Sequence, residues 1–286
     1  MEYSFISDIN LICDYLSLTH ERLAEELGIS FETISRIVNK DIVPSNELLE
    51  KFYSFVYNKG IELNKLKVEH YKKNHNVILF HGSKDQITGD ISLSYSRKNV
   101  DLGVGFYTGD NYEQSLDFVC LTKTGSVYVL DADYADLKIL NLDVSLKWLL
   151  YIAINRSLLE EYKDTKMYQS LVGEMNLYDV IVAPIADNRM FDTIDDFVSS
   201  AISSEQAIHA LKELSLGKQI VFKTRKAIKH IKMLERLYLS KAEKDNATKH
   251  KLQKIEEATK YISNAYASHI REGKYINEVF SDESDE

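Results

Sequence analysis

Two kinds of hydrophobic pattern alternate along the chain, and together they predict a mixed α+β fold. Four short runs, NVILF, SVYVLDAD, YDVIVAPIAD and QIVFKT, are rich in β-branched and aromatic residues, which is typical of strands. Between the second and third of these runs, SLKWLLYIAINRSLLEEY has the spacing of a helix. After Lys226, apolar residues recur every three or four positions, so we expect a helical extension at residues 227–275, with a turn at KAEKDNATKH.

The first 59 residues predict a small helical domain. Apolar residues share one face from Leu18 to Leu27, Gly28 marks a turn, and Ser30 is suited to cap the helix that follows. A further amphipathic helix is expected after Pro44. This order of elements resembles the helix-turn-helix of phage repressors of the Cro/Xre type.

The resemblance implies that the second of these helices recognises DNA. It would enter the major groove and offer five side chains to bases and phosphates, namely Thr33, Ser35, Arg36, Asn39 and Lys40. Between Ser17 and Ser45, however, three basic residues stand against five acidic ones, and this net charge of −2 attracts phosphate poorly. DNA binding, protein docking and dimerisation therefore all stay open for residues 1–59.

Composition narrows the class of protein. The chain has 286 residues and a formal charge of −9, which fits one large and one small domain and argues against a protein that coats nucleic acid. We expect neither a transmembrane helix nor a membrane partner, because no apolar run approaches about 18 residues. Two cysteines, and no CxxC or HExxH spacing, favour a reducing cytoplasm and argue against a metal site.

Two polar stretches are expected to lie outside the folded domains. Residues 60–75 are polar and mixed in charge, which predicts a connector. The last nine residues, EVFSDESDE, carry five acids and no base. We therefore expect residues 276–286 to form an acidic disordered tail.

The most informative stretch of the chain runs from Val77 to Phe118. Its first part, VILFHGSK, is a strand-like run that ends in His81-Gly82-Ser83, and its second part is DLGVGFYTGDNYEQSLDF, which ends in a helix-like segment. In this order the two parts resemble the first two motifs of ADP-ribosyltransferases of the diphtheria-toxin and poly-ADP-ribose-polymerase type. The resemblance implies a split β-sheet domain, here residues 76–226, that binds NAD as its substrate and transfers ADP-ribose.

The same resemblance implies a role for each motif residue. His81 would bind a ribose hydroxyl, the bare backbone of Gly82 would approach the nicotinamide amide, and Ser83 would assist. Tyr107 would stack on the nicotinamide ring, and Phe118 would cover the ring with a second aromatic face. Such residues suit the reaction, because the dinucleotide must be held in a fixed pose while the ribose gains positive charge.

In the third motif the sequence departs from the family. The polymerase branch opens a late strand with a glutamate, whereas the matching strand here, KQIVF, carries Gln219. An amide can bond a ribose hydroxyl, but it brings no negative charge to the oxocarbenium ion. The resemblance therefore implies a catalytic Gln219 without chain-extending activity, and Glu174 and Glu205 are substitute carboxylates.

The order of HGSK, DLGVGFYTG, YDVIVAPIAD and QIVFKT also resembles an uncharacterised bacterial branch of this fold that occurs in toxin–antitoxin and phage-defence settings. The resemblance implies an NAD-dependent mono-ADP-ribosyltransferase of toxin or phage-defence type, from a bacterium or its phage. The expected target is an intracellular protein or nucleic acid, and an antitoxin partner or self-association is also implied. Two alternatives stay open. One is a catalytically weak module that binds NAD or ADP-ribose, and the other is a transcription regulator that acts through residues 1–59.

Overall fold

The computed structural model describes residues 2–96, 99–186, 188–212, 217–270 and 272–281. Within these ranges the chain is a mixed α+β protein, which confirms the predicted class at that coarse level. Its strands are β1 (Ile78–Ser83), β2 (Phe106–Gly109), β3 (Ser126–Ala132), β4 (Ile139–Asn141), β5 (Val180–Pro184), β6 (Lys218–Phe222) and β7 (Ile231–Leu237). Its α-helices are α1 (Phe5–Leu16), α2 (His20–Leu27), α3 (Phe31–Val38), α4 (Asn46–Asn58), α5 (Leu63–Asn74), α6 (Tyr112–Val119), α7 (Leu146–Asn155), α8 (Lys166–Met175), α9 (Asn188–Val198), α10 (Ser204–Lys212), α11 (Arg225–Ile228), α12 (Lys241–Ser268) and α13 (Ile276–Ser281).

The chain divides into two compact units, each assembled from three segments. The first unit comprises Met1–Gly89, Ser115–Asp131 and Met233–Lys249, and the second comprises Asp90–Gln114, Ala132–Lys232 and His250–Glu286. Residues 1–59 fall within the first unit, which also contains β1. The separate small domain expected there stays a prediction. The expected boundaries at residues 76 and 226 also fall inside units.

The helices at the N-terminus form where the sequence supplies their caps. The side chains of Thr19, Ser30 and Ser45 each accept a hydrogen bond from the backbone N–H three residues further on, at the starts of α2, α3 and α4. Gly28 ends α2 with a φ of +64°, a conformation that favours glycine. The helices predicted from caps and periodicity are thus confirmed as helices.

Residues 60–75 are not the connector that their polarity predicted, because most of them form α5. Its Lys67 Nζ lies 2.5 Å from a carboxylate oxygen of Asp8 and 2.7 Å from one of Glu235. Both carboxylates are buried, and the Lys67 side chain is only 12% exposed. The prediction was wrong because polarity alone does not distinguish a solvated linker from a helix whose charge is paired in the interior.

In the first unit, β1 and β3 pair antiparallel, with β7 beside β3. In the second unit, four strands follow the order β4-β5-β6-β2, where β4 and β5 are parallel and the other pairs are antiparallel. The helix α7 packs on this second group of strands with seven consecutive buried residues, from Trp148 to Ile154. Such a helix, apolar on all sides, forms the centre of the core of its unit.

The C-terminal region differs from the predicted helical extension at residues 227–275. Residues Ile231–Leu237 form β7, because the spacing of so short a run fits both a helix and a strand, and pairing decides between them. The expected turn at KAEKDNATKH is instead continuous helix within α12. That run contains neither glycine nor proline, so nothing in it interrupts a helix.

The predicted disordered tail at residues 276–286 begins as an ordered helix. Ile276, Val279 and Phe280 of α13 are buried, and the Phe280 ring stacks on Tyr162 with a centroid separation of 4.2 Å. Three apolar side chains among the acids anchor this segment, so net charge alone was misleading. Residues 282–286 lie outside the described part of the chain. Across the described helices, none combines the length and the apolar character that a membrane crossing requires.

Candidate functional site

In the first unit, the predicted HGS motif forms the end of β1 and pairs along its length with β3. The ring of His81 lies opposite Tyr128, with 6.4 Å between the two centroids. The hydroxyl of Ser83 donates to the backbone carbonyl of Asp85 at 2.7 Å. The motif is therefore held by the strand on one side and by the following turn on the other.

The structure brings Gly82 together with Phe118. A Cβ built on Gly82 would lie 2.6 Å from the backbone carbonyl oxygen of Ser115 and 3.3 Å from Cδ1 of Phe118. The helix α6 therefore packs too close to β1 for any side chain at this position. The Phe118 ring is 54% exposed, and Nζ of Lys84 lies 5.5 Å from its centroid. A bare strand backbone thus adjoins an open aromatic face, an arrangement that can hold a flat ring.

In the second unit, Tyr107 and Gln219 lie on one face of neighbouring strands. Tyr107 of β2 is opposite Val221 of β6, and Gly109 is opposite Gln219. Opposite residues of an antiparallel pair share a face, and alternate residues of a strand return to it. The structure therefore places these two predicted site residues on the same side of the strands.

The hydroxyl of Tyr107 is engaged by its own loop. It donates to the carbonyl of Gly103 at 2.7 Å and accepts from the N–H of Leu102 at 3.0 Å. Burial raises the pKa of Tyr107. The ring packs against the core of the second unit. Stacking on nicotinamide stays a prediction for this ring, whereas the hydroxyl has a clear part in fixing the loop.

Close packing explains both glycines of the GVG segment. Gly103 has a φ of +74°, and a Cβ there would lie 2.6 Å from Oδ1 of Asn155. A Cβ on Gly105 would lie 2.5 Å from a methyl group of Val221. The glycines therefore let this loop lie directly on the end of α7 and on β6.

A buried lysine closes the same loop. Nζ of Lys223 donates to the backbone carbonyl of Leu102. Burial lowers the pKa of Lys223 to about 8, and no carboxylate of the described residues offsets that burial. Among the residues that the structure describes, the lysine is therefore a hydrogen-bond donor to backbone and belongs to no ion pair.

Asp101, directly before this loop, belongs to a buried polar group that the sequence reasoning missed. Nε and Nη2 of Arg156 donate to one carboxylate oxygen of Asp101 at 2.9 and 2.6 Å. The guanidinium carbon of Arg156 lies 3.2 Å from the centroid of the Phe191 ring. Burial raises the pKa of Asp101, while Arg156 and Gln219 act in the opposite direction. An acid ahead of a glycine-rich loop was the signal that could have identified it.

The amide of Gln219 is held by the neighbouring strand. Its Nε2 donates to the backbone carbonyl of Pro184 at 3.0 Å. We call Asp101, Arg156, Phe191 and Gln219 the Asp101 cluster.

The two substitute carboxylates are engaged in other contacts. Glu174 accepts from Nζ of Lys147 at 2.6 Å and from the hydroxyl of Tyr151 at 2.8 Å, and the bond from Lys147 is the main cause of its lowered pKa. Glu205 lies in the first turn of α10, with a carboxylate oxygen 3.8 Å from Nε2 of His209. Each of the two glutamates therefore has a basic side chain as a neighbour, and their part as substitute catalytic carboxylates stays a prediction.

The side chains predicted to face DNA lie on α3 and just after it. Arg36, Asn39 and Lys40 are exposed, whereas Thr33 and Ser35 are half-buried. The hydroxyl of Thr33 hydrogen-bonds that of Ser30 at 2.9 Å, next to the helix cap. Across the described ranges, no group of three or more His, Cys, Asp or Glu side chains is placed to hold a metal ion.

Together, the fold and these residues define a mixed α+β protein with two glycine-containing motifs, one in each unit. A family profile described as "Protein of unknown function (DUF3990)" matches residues 77–233, which is more than half of the chain. The chain belongs to this family, and the matched range contains both motifs and the Asp101 cluster. No curated protein and no solved structure matches the chain.

Proposed function

We propose that this protein is an NAD-dependent mono-ADP-ribosyltransferase of toxin or phage-defence type that modifies an intracellular protein or nucleic acid. One observation carries the proposal, namely the contact of the bare Gly82 backbone with the exposed Phe118 ring at the end of β1. Nicotinamide is a flat ring, and it needs an aromatic face on which to stack. The first unit offers such a face beside the HGS motif.

In the proposed reaction, the bond between C1′ of the nicotinamide ribose and the pyridinium nitrogen breaks. Its electron pair leaves with nicotinamide, a nucleophilic atom of the target forms a new bond to C1′, and that atom gives up its proton. His81 would hold a ribose hydroxyl while this exchange takes place. Fixing the dinucleotide in one pose lowers the barrier, because the reacting atoms no longer have to find their geometry.

Gln219 in the second unit favours one kind of product over another, namely single ADP-ribose units over chains. Gln219 is neutral and shares a strand face with Tyr107, whereas a glutamate would carry a negative charge. Chain extension in the resembling polymerases relies on that glutamate. We therefore propose the transfer of single ADP-ribose units rather than chains.

Nicotinamide release from NAD by the full chain tests the proposal. Phe118→Ala should lower kcat/KM by about tenfold, the cost of losing one ring contact of about 1.5 kcal/mol. Leu121→Ala is the matched control, because Leu121 is 73% exposed and lies close to Phe118 in sequence. His81→Ala should abolish release, whereas substitution of the exposed His250 should not.

Circular dichroism and thermal unfolding of all four variants distinguish a damaged fold from a damaged site. Nicotinamide release by folded His81→Ala at the rate of the unmodified chain would refute the assignment. If the unmodified chain binds NAD and leaves it intact, the protein is the catalytically weak NAD-binding module.

A second candidate function is DNA binding through α2 and α3. The observation in its favour is the short turn at Gly28 between two capped helices, with Arg36 and Lys40 exposed on and after the second one. Duplex binding that weakens steeply with salt would support it, and replacing both residues by alanine should reduce the salt dependence. Salt-insensitive binding, or none, would favour a docking or dimerisation role.

A further inference from the structure

The first unit contains a buried arginine that has no counter-ion among the described residues. Arg236 lies in β7 and is only 7% exposed. Its Nε donates to the hydroxyl of Ser126 at 3.1 Å, which is the one hydrogen bond that the guanidinium makes within the described ranges. By contrast, the buried Lys67 of the same unit has two carboxylate partners. Because a buried charge without an opposite charge is costly to a folded protein, the position of Arg236 requires an explanation.

The guanidinium of Arg236 is held in place by two side chains. Its Cζ lies 4.1 Å from the centroid of the Tyr3 ring, and the hydroxyl of Tyr3 hydrogen-bonds that of Ser126 at 3.1 Å. The backbones of Tyr3 and Arg236 form a parallel β-bridge, and the Tyr3 ring packs edge-on against Tyr238 with 5.2 Å between the centroids. An aromatic face and a bonded Nε therefore leave the guanidinium plane little freedom to turn.

The hydrogens that remain unused around Arg236 are available for donation. The N–H groups of Nη1 and Nη2 have no acceptor among the residues that the structure describes. The hydroxyls of Tyr3 and Ser126 share one hydrogen bond, so one of their hydrogens has no described acceptor either. Neither Nη atom is a fully buried atom without a partner, so both retain contact with solvent. A ligand can therefore reach them.

We propose that Arg236, together with the hydroxyls of Tyr3 and Ser126, forms a binding site for a phosphate group in the first unit. A phosphate carries the negative charge that Arg236 lacks, and its oxygens accept hydrogen bonds from both Nη atoms of the planar guanidinium. Ser126 lies directly opposite Ser83 of the HGS motif, and opposite residues share a face of the strand pair. The phosphate site therefore lies on the Ser83 face of β1 and β3.

The first test uses inorganic phosphate as the probe, so it depends neither on NAD nor on its cleavage. Isothermal titration calorimetry of the full chain at constant ionic strength should show phosphate binding. Arg236→Met should weaken that binding at least about tenfold, because it removes charge-assisted hydrogen bonds. Arg22→Met is the matched control, since Arg22 is an exposed arginine of the same unit that pairs with Glu25. It should bind phosphate as tightly as the unmodified chain.

Two conservative variants separate the geometry of the site from its charge. Arg236→Lys keeps the cation and loses the planar fork, so it should bind phosphate at least about threefold more weakly than the unmodified chain. Tyr3→Phe keeps the ring and loses the hydroxyl, which should weaken phosphate binding by about two- to tenfold. If Arg236→Met does not fold, Arg236→Lys carries the test in its place, and unweakened binding by this variant would count against the site.

The stability of Arg236→Met supplies a readout besides binding. With chloride as the only small anion, the substitution removes an unpaired buried cation, so the midpoint of urea unfolding should fall by less than it does for Lys67→Met. Added phosphate should raise the midpoint of the unmodified chain more than that of Arg236→Met, because a ligand stabilises the state that binds it. An equal fall for the two variants in chloride would show that Arg236 is paired within the folded chain, and it would overturn the proposal.

Competition with NAD distinguishes two sources of the phosphate group. If NAD displaces phosphate and Arg236→Met also weakens NAD binding, the phosphate group belongs to the dinucleotide. If NAD leaves phosphate binding unchanged, the phosphate group belongs to a separate ligand, and either result supports the site. Phosphate binding no tighter than that of chloride, or phosphate binding that Arg236→Met leaves intact, would overturn the proposal whether or not the chain cleaves NAD.

Discussion

Each unit contains a buried charged group, and the two groups differ in whether they are complete. In the first unit, Lys67 lies between Asp8 and Glu235, and we call these three residues the Lys67 cluster. Each carboxylate also accepts a tyrosine hydroxyl, from Tyr53 at 2.6 Å and from Tyr71 at 3.0 Å. In the second unit, the buried Lys223 donates to the backbone carbonyl of Leu102 and has no carboxylate partner among the described residues.

The difference separates a paired buried charge from an unpaired one. A buried charge is costly unless it is paired and hydrogen-bonded, and the Lys67 cluster meets that requirement within its own unit. Lys223 lacks an opposite charge among the described residues, and burial lowers its pKa to about 8. The Lys67 cluster should therefore contribute to stability at pH 7, whereas the burial of Lys223 should oppose it.

The largest expected effect is on the stability of the first unit. Lys67→Met leaves two buried carboxylates without their cation, which should lower the free energy of unfolding by about 3–5 kcal/mol at pH 7. The loss should shrink towards acidic pH, because burial of a protonated carboxyl costs less than burial of an ion. Urea unfolding at several pH values measures both quantities.

The control for this prediction is Lys51→Met. Lys51 lies 3.1 Å from Glu47 on the exposed side of α4, so its loss should cost less than about 1 kcal/mol. An equal loss in the free energy of unfolding for Lys51→Met and Lys67→Met would show that the buried cluster stabilises the fold no more than a surface ion pair does.

The second effect concerns the motif glycine of the first unit. Gly82→Ala places a methyl group 2.6 Å from the backbone oxygen of Ser115, which α6 can avoid only by moving. We expect a loss of about 1–3 kcal/mol, the usual cost of overpacking. Gly173→Ala in α8 meets nothing within 4 Å, so it should leave stability unchanged or raise it slightly. Thermal unfolding compares the stability of the two variants. An equally small change for Gly82→Ala and Gly173→Ala would contradict the close packing of α6 on Gly82.

Secondary structure was predicted well from the sequence wherever the local signals agreed. The cap at Ser30 and the apolar spacing of α3 point to the same helix, the apolar spacing after Pro44 is that of α4, and the four strand-like runs are strands β1, β3, β5 and β6. The errors at α5 and β7 have a common cause. Lys67 in α5 and Glu235 in β7 are charged residues that pair in the interior, and a pattern that assigns charge to the surface cannot foresee such a pair.

The candidate site was only partly predictable for a similar reason. The motif residues His81, Gly82 and Phe118 were identified by resemblance to a family, and the contact between Gly82 and Phe118 needed the structure. Asp101 was missed because its role depends on Arg156, which is 55 residues away in sequence. Single-sequence reasoning finds residue types at set spacings, and it does not find partners that only the fold brings together.

A third effect, confined to alkaline pH, distinguishes the two buried lysines. Lys67 has two carboxylate partners, whereas Lys223 has a backbone carbonyl and a pKa lowered to about 8 by burial. In the unfolded chain the pKa of a lysine is about 10.4. Between these two values the unfolded state binds more protons than the folded state, so stability should rise with pH by at most about 1.4 kcal/mol per unit.

This rise is measured by comparing urea unfolding of the unmodified chain with that of Lys223→Met from pH 7 to pH 10.5. Above pH 8, the free energy of unfolding of the unmodified chain should rise relative to that of Lys223→Met, because burial of a neutral amine costs less than burial of an ammonium ion. A constant difference over that interval would show that Lys223 is solvated in the folded protein, and the contrast with Lys67 would be lost.

The central claim is that this chain transfers ADP-ribose from NAD to a macromolecule. The most direct test incubates the full chain with a cell lysate and NAD that is isotopically labelled in its adenosine part, followed by mass spectrometry of proteins and nucleic acids. The account predicts a labelled ADP-ribose adduct with the unmodified chain and none with His81→Ala. Intact NAD and unlabelled macromolecules after incubation with the unmodified chain would contradict it.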